Sequence, residues 1–336
     1  MPKKPYLVCD ACGGSLRPLR LLPGYVRGPT YQASECNTCG SQTISPRSIP
    51  AGLYDAIYQN AATIQGGYDR YERYAAGVRN HPAPLQWLAD QEDMYWGVVQ
   101  LLKTLALSPN AQIVEVGCGL GYLTYALSQA GYNAHGIDIS ERAVHMARGR
   151  FGDLFTVEDA TQSTRVRDAN VVLALELIEH LPTPAAFLAS LREVLPVDAS
   201  LIMSTPNRDT YPADSVWNTD LPPVHFNWFS ESGISQMAAD AGYSVHFADF
   251  SKWNSQRTNT PWLASPAYRE PRFDEALHPL ATTRVASVRR SVLTRMTSRA
   301  IRTAARAFAR QKQTVPAPLA GNRSVAMVFR LARCKS

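Results

Sequence analysis

The stretch from Gln112 to Ser140, QIVEVGCGLGYLTYALSQAGYNAHGIDIS, constrains the fold of this chain more than any other part. Ile113, Val114 and Val116 form a short β-branched run, the pattern of a buried strand. Gly117, Gly119 and Gly121 then let the backbone turn tightly and leave room for a ligand against it. Tyr122 to Ala130 has helical spacing, and Gly131 stops it. Ala134 to Ile137 is the next strand, with Asp138 at its carboxyl end. That arrangement suits an adenosine ligand, whose ribose hydroxyls need a carboxylate acceptor. The glycines alone fit a purely structural turn; with the helix and the acid in place they favour a nucleotide-type ligand.

Two further strands follow: Leu154 to Val157, ending in Glu158, Asp159 and Ala160, and Val171 to Leu175. The loop reads G-x-G-x-G. The third glycine of a G-x-G-x-x-G fingerprint would fall on Tyr122, which disfavours NAD. From Leu101 to Phe250, with a last strand at Ser324 to Leu331, the series resembles the class I S-adenosylmethionine (SAM)-dependent methyltransferases. The resemblance implies an α/β fold, a Rossmann-like seven-stranded domain. It also implies that Glu115, Gly117, Gly119 and Gly121 form the SAM loop, that Asp138 binds the ribose, and that Asp159 with Ala160 reads the adenine.

The chain has 336 residues, enough for one large α/β domain with additions. No apolar run is long enough to span a bilayer, and the N-terminus lacks the apolar core of a signal peptide, so a cytoplasmic location is expected. Two C-x-x-C pairs, Cys9/Cys12 and Cys36/Cys39, each precede a glycine. Four thiolates on two such knuckles make a closed tetrahedral site with no open position, so a structural zinc in an N-terminal ribbon is expected; disulfides or free thiols are the alternatives. Cys118, in the glycine loop, is expected to pack rather than react. The chain then divides into a ribbon (1–48), a helical lid or connector (49–106), a methyltransferase core (107–250 and 320–336) and an insertion (251–319). The connector, helical from Leu53 to Thr104, carries many aromatics, including Tyr54 and Tyr58. Most should pack on the sheet, with Tyr71 and Tyr74 the candidates for lining a pocket.

After the fourth strand, Glu176, Glu179 and His180 follow E-x-x-E-H spacing, which on a helical turn brings side chains to one face. Ser204-Thr205-Pro206-Asn207-Arg208 and then His225-Phe226-Asn227-Trp228 come next. This set resembles two O-methyltransferase families. The ubiquinone-pathway enzymes have the E-x-x-E-H turn and a similar S-T-x-N-R strand end. The small-RNA 2′-O-methyltransferases add a downstream histidine near a tryptophan. The resemblance implies Glu176, Glu179, His180 and His225 as catalytic residues and as a candidate second metal site for Mg or Zn. In the metal-free alternative, His225 or His180 is the general base and the two glutamates orient ligands and brace the turn. The chain lacks the two-histidine run found near the fourth ligand in the small-RNA family.

The net charge is +6, but Arg284 to Lys312 holds nine basic residues and no acidic one, and without them the balance turns negative. Val285 to Ala309 reads as an amphipathic helix: a packed solvated helix, a peripheral membrane contact through 285–310, or a phosphate-binding helix. The expectation is SAM-dependent O-methylation of a small molecule or glycan, with lipid-linked acceptors included. A zinc-ribbon RNA methyltransferase and a non-catalytic SAM-binding interaction protein are the rivals, and RNA is the weaker partner because the catalytic part is not basic.

Overall fold

The computed structural model describes residues 8–60, 69–108, 110–210, 220–256, 271–280 and 323–334. The chain begins with β1 (Leu16–Pro23), β2 (Thr30–Cys36) and β3 (Gln42–Ser45). Four helices follow: α1 (Leu53–Gln59), α2 (Asp69–Asn80), α3 (Pro84–Gln91) and α4 (Asp93–Thr104). Strands and helices then alternate as β4 (Gln112–Val116), α5 (Tyr122–Gln129), β5 (Asn133–Asp138), α6 (Glu141–Phe151), β6 (Phe155–Val157), α7 (Thr164–Arg167), β7 (Val171–Leu175), α8 (Pro184–Val194) and β8 (Ser200–Pro206). The last elements are β9 (Asn227–Trp228), α9 (Glu231–Asp240), β10 (Tyr243–Phe247), α10 (Ser251–Gln256) and β11 (Ala326–Arg333). The expected basic helix, Val285 to Ala309, and the membrane or phosphate contact assigned to it lie outside the described residues. Among the described residues no helix is long and apolar enough to cross a membrane.

Seven strands form one sheet in the order β10-β11-β8-β7-β4-β5-β6, the expected α/β architecture. Its strands pair in parallel from β8 through β7, β4 and β5 to β6, and β11 runs antiparallel to both its neighbours. Helices cover both faces, so a strand such as β8 is buried at every position and shows no polar alternation. The pleat divides β4 between two cores. Ile113 faces the helices α2 to α5 with Leu88, Val98 and Leu127, and Val114 and Val116 face Leu191 of α8 and Ile234 of α9. The final strand is displaced from the expected Ser324 to Leu331, because the Ser324 hydroxyl donates to Asp93 of α4 and pairing with β8 starts at Ala326. Chain reversal on either side of β4 puts the switch point of the sheet at the carboxyl ends of β4 and β7, where open α/β sheets bind ligands.

The N-terminal strands form a second, antiparallel sheet whose fourth strand comes from elsewhere in the chain. Its order is β1-β2-β3-β9, with Thr43 opposite Asn227 and Gln42 opposite Trp228. Below it Leu22, Tyr25 and Ile44 pack with Leu53 and Ile57 of α1, with Phe226 and Trp228, and with Phe273. Phe273 belongs to the long segment between β10 and β11. Its amide donates to the Tyr25 carbonyl, and its own carbonyl accepts from Arg27. Part of the insertion is therefore built into the ribbon.

Phe329 of β11 is fully buried between β8 and β10. Phe329→Ala should lower unfolding stability by about 3–5 kcal/mol, seen as a lower urea midpoint at unchanged slope.

Candidate functional site

One cavity of about 1510 Å³ lies over the carboxyl ends of β4, β5 and β7. Its first wall is the glycine loop. Gly117 and Gly119 have φ of 71° and 50°, and the Gly119 amide donates to Asp138 Oδ2 at 3.0 Å while Ser140 N donates to Oδ1 at 2.8 Å. Asp138 thus ties the turn after β4 to the end of β5. Asp159 and Ala160 also line the cavity. Asp159 Oδ1 accepts from the Thr161 amide and hydroxyl, and its other oxygen takes part in neither bond. Glu115 lines the cavity too and accepts from the Thr124 hydroxyl; burial pushes its carboxyl up to about 7. Gly121 does something else: it starts α5 at φ 77°, and a Cβ there would stand 2.6 Å from the Phe155 ring, so it serves packing and not the cavity wall. Cys118 is buried against Val144, Ala147 and Phe155, and burial pushes its thiol well up, as fits an inert thiol.

The second wall carries Glu176, His180, Asp220 and His225. Glu176 is not on the helical turn with its partners. It ends β7 in the left-handed region at φ 47°, with its amide bonded to the Ser204 carbonyl at 3.1 Å and its Oε1 accepting from Ser204 Oγ at 2.8 Å. Burial pushes its carboxyl up to about 7. Only Ile178–His180 forms a turn, of 3₁₀ type. Glu179 is 0% exposed, and neither of its carboxylate oxygens has a hydrogen-bond partner. Burial, and then the charge of Glu176, push it well above the carboxylate range. His180 Nδ1 lies 2.6 Å from the Val224 carbonyl, which can only accept, so Nδ1 carries the proton and Nε2 keeps its lone pair. The His225 ring meets His180 edge-on with centroids 4.5 Å apart, and its Nδ1 is 3.9 Å from Asp220 Oδ1. Burial, with the neighbouring His225 adding to it at His180, pushes both imidazoles down to about 3. Ligand atoms of Glu179, His180 and His225 all fall within 4.8 Å of one another; Glu176 is outside that set.

Several cavity residues escape sequence reasoning. Ile139 is 79% exposed beside Asp138 and lines the cavity, an apolar residue open to a ligand. Its signal is readable: a large apolar side chain just past a strand's exposed end. Tyr54 and Tyr58 of α1, four residues apart, line the cavity instead of packing under the sheet, and the Tyr58 hydroxyl lies 3.4 Å from where a Cβ at Gly119 would be. Of the two expected pocket tyrosines, Tyr71 lines the cavity, whereas Tyr74 is buried against Trp87 and Tyr95. Asp220 has no local signal.

Residues 91–247 match the family model described as a methyltransferase domain. The chain carries a class I SAM-dependent methyltransferase domain. It is similar to the ubiquinone biosynthesis O-methyltransferase of Hydrogenovibrio crunogenus, 29% identical over 163 residues, covering 43% of this chain and 66% of that protein. The protein of the same name from Actinobacillus pleuropneumoniae is 32% identical over 108 residues, 29% of this chain and 46% of its own length. The chain thus spans less than two thirds of either relative. A solved magnesium protoporphyrin IX methyltransferase from Synechocystis is 20% identical, with 58% of this chain and 93% of that one covered at a TM-score of 0.39.

The methyltransferase domain fits SAM on its own geometry. Side chains at Gly117 and Gly119 would enter the space between the loop and Leu177 or Tyr58, and two acids stand at successive strand ends beside it. In the ribbon, the sulfurs of Cys9 and Cys39 are 3.8 Å apart and those of Cys12 and Cys36 3.4 Å, near the edge of about 3.8 Å expected for tetrahedral zinc–thiolate bonds. Gly13 and Gly40 close the knuckles at φ 70° and 76°. The hydrogen bond between the two sulfurs pushes the Cys9 thiol up and the Cys39 thiol down to about 4, and burial pushes Cys12 up to about 11; four thiolates this close would repel one another, so ionising all of them needs a cation. The four residues would hold a zinc of structural type.

The buried Glu115 makes a pH prediction. Its carboxyl is half protonated near pH 7, and a cationic ligand favours the ionised form, so SAM binding should release protons. Affinity should rise with pH by up to about one log unit per pH unit below 7 and level off above it. Calorimetry in two buffers of different ionisation enthalpy checks this, and Glu115→Gln should bind SAM without that release. Metal analysis of the pure protein should find zinc on the four cysteines and lose it in Cys36→Ser.

Proposed function

We propose that the protein transfers a methyl group from SAM to a hydroxyl oxygen of a small molecule or glycan. The observation that carries this is a single cavity with the glycine loop and Asp138 on one wall and buried acids and imidazoles on the other. SAM, when bound, supplies a methyl group open to in-line attack. The chain's own residues position the acceptor and take its proton. Both histidines enter the reaction neutral, and Asp220 stands where it can stabilise an imidazolium at His225. Tyr54, Tyr58 and Tyr71, with Glu176 and Arg70, give the cavity a polar, aromatic lining suited to a hydroxylated acceptor. The similarity to ubiquinone biosynthesis O-methyltransferases supports oxygen as the accepting atom.

A second reading concerns how the proton leaves. Imidazoles this weak are better ligands than bases, and the buried Glu179, with Oε1 4.0 Å from His180 Nε2, is placed to serve as a third ligand. Glu179, His180 and His225 would hold a divalent ion, which would lower the pKa of the acceptor hydroxyl.

The test uses pure protein, methyl-labelled SAM and fractionated cell extract. Label should enter a hydroxylated small-molecule or glycan fraction. His225→Ala should cut transfer by about 10²–10⁴-fold while SAM affinity stays near wild type. Label in RNA, or SAM binding with no transfer that His225→Ala alters, would overturn the proposal. For the metal reading, Glu179→Gln should remove one metal per chain beyond the ribbon zinc; an unchanged metal content leaves the histidines as bases.

A further inference from the structure

The ribbon is wired into the wall that bears the two histidines. His225 lies two residues before β9, the strand that completes the ribbon sheet. The segment after it is held at nearly every residue. Ile44 N donates to the Phe226 carbonyl at 3.0 Å, and Thr43 Oγ1 donates to the same carbonyl at 3.2 Å. Ser230 N donates to Ser41 Oγ at 3.1 Å, and Ser230 Oγ donates to the carbonyl of Cys39. Packing agrees: Cys9, Ala11, Cys36 and Cys39 share one core with Phe229, Ile234 and Met237. A Cβ at Gly233 of α9 would stand 2.2 Å from Ser41 Oγ, so the two bodies touch without slack.

Arg47 joins these parts. Its side chain is 1% exposed and pairs with Asp10, which sits between Cys9 and Cys12 in the first knuckle. From there Nη1 donates to the Pro182 carbonyl at 2.7 Å, and Nη2 donates to Thr43 Oγ1 and, at 3.4 Å, to Asn227 Oδ1. Asn227 Nδ2 in turn donates to the Leu181 carbonyl at 3.1 Å. One buried guanidinium therefore links the cysteine knuckle, the strand after His225, and the two residues after His180. Asp10 gives this buried charge a carboxylate partner inside the knuckle, and losing such a partner is costly to a buried arginine.

We propose that the four-cysteine centre acts on the acceptor wall of the cavity, with Arg47 as the positioning residue that transmits the state of the knuckle to the segments carrying His180 and His225. The function of those histidines rests on the methyl-transfer reading; the mechanical coupling does not. The glycine loop is anchored through β4, β5 and Asp138, so the cofactor half should not depend on Arg47.

Hydrogen–deuterium exchange of the full chain, read by mass spectrometry, tests this. Arg47→Met should keep its zinc and bind SAM within about threefold of wild type, while exchange over 178–184 and 222–232 rises at least about tenfold. Asp10→Asn, a milder change that leaves all four cysteines, should raise exchange over the same peptides, and Arg47→Lys should do so less. Stripping zinc from the wild-type protein should expose 222–232 and reloading zinc should protect it again. A rise confined to 8–16 and 36–48, with 222–232 unmoved in both Asp10→Asn and the stripped protein, would sink the coupling. That outcome would leave the methyl-transfer proposal intact, whereas absence of transfer with the exchange pattern present would do the reverse.

Discussion

The bond from the Gly119 amide to the Asp138 carboxylate holds together the two strand ends on which the cofactor half of the cavity is built. It needs a left-handed turn at Gly117 and Gly119, which an L side chain would strain, and an acceptor at the end of the neighbouring parallel strand. Both follow from the switch point of the sheet. β4 is flanked by β5 on one side and β7 on the other, so the chain must leave its carboxyl end sharply and return on either hand. The same geometry brings Glu176, at the end of β7, to the opposite wall.

Desolvation sets the chemistry of that opposite wall. Glu176, Glu179, His180 and His225 are held in a space whose walls are phenol rings, backbone and apolar side chains, so each is biased toward its neutral form. Two neutral imidazoles edge to edge and a carboxyl with no close hydrogen bond add little to the stability of a protein core. Buried, shifted groups gathered in one cavity wall are the arrangement that a ligand-binding site uses.

The ribbon has too small a core of its own to be a free module: β9, α1 and Phe273 complete it. Its cysteine knuckles lie against α9 of the methyltransferase domain, and its third strand pairs with the residues that follow His225. A four-cysteine zinc site would leave no open coordination position, so its part in any reaction would be one of geometry and not of chemistry.

What was legible in the chain was local. Turn chemistry at Gly117 to Gly121, an acid at the end of each of two strands and the Cys-x-x-Cys knuckles are written within a few residues, and the structure has them where the patterns put them. E-x-x-E-H spacing misled in one respect, because Glu176 belongs to the strand end and only Ile178–His180 turns. Tyr71 and Tyr74 were indistinguishable by composition, and only the packing of α2 against Trp87 and Tyr95 buried one and exposed the other to the cavity. The sequence by itself determined the βαβ unit, its ligand-binding turn and the four-thiol centre, since these depend on backbone freedom and ligand spacing along a short stretch. Only the tertiary structure decided that His225 meets His180, that Asp220 and Glu179 lie beside them, and that Arg47 ties them to the ribbon. The contacts of His225 with His180 and of Arg47 with Pro182 and Asn227 join residues tens to more than a hundred positions apart, and they arise from sheet order and burial, which no local pattern carries.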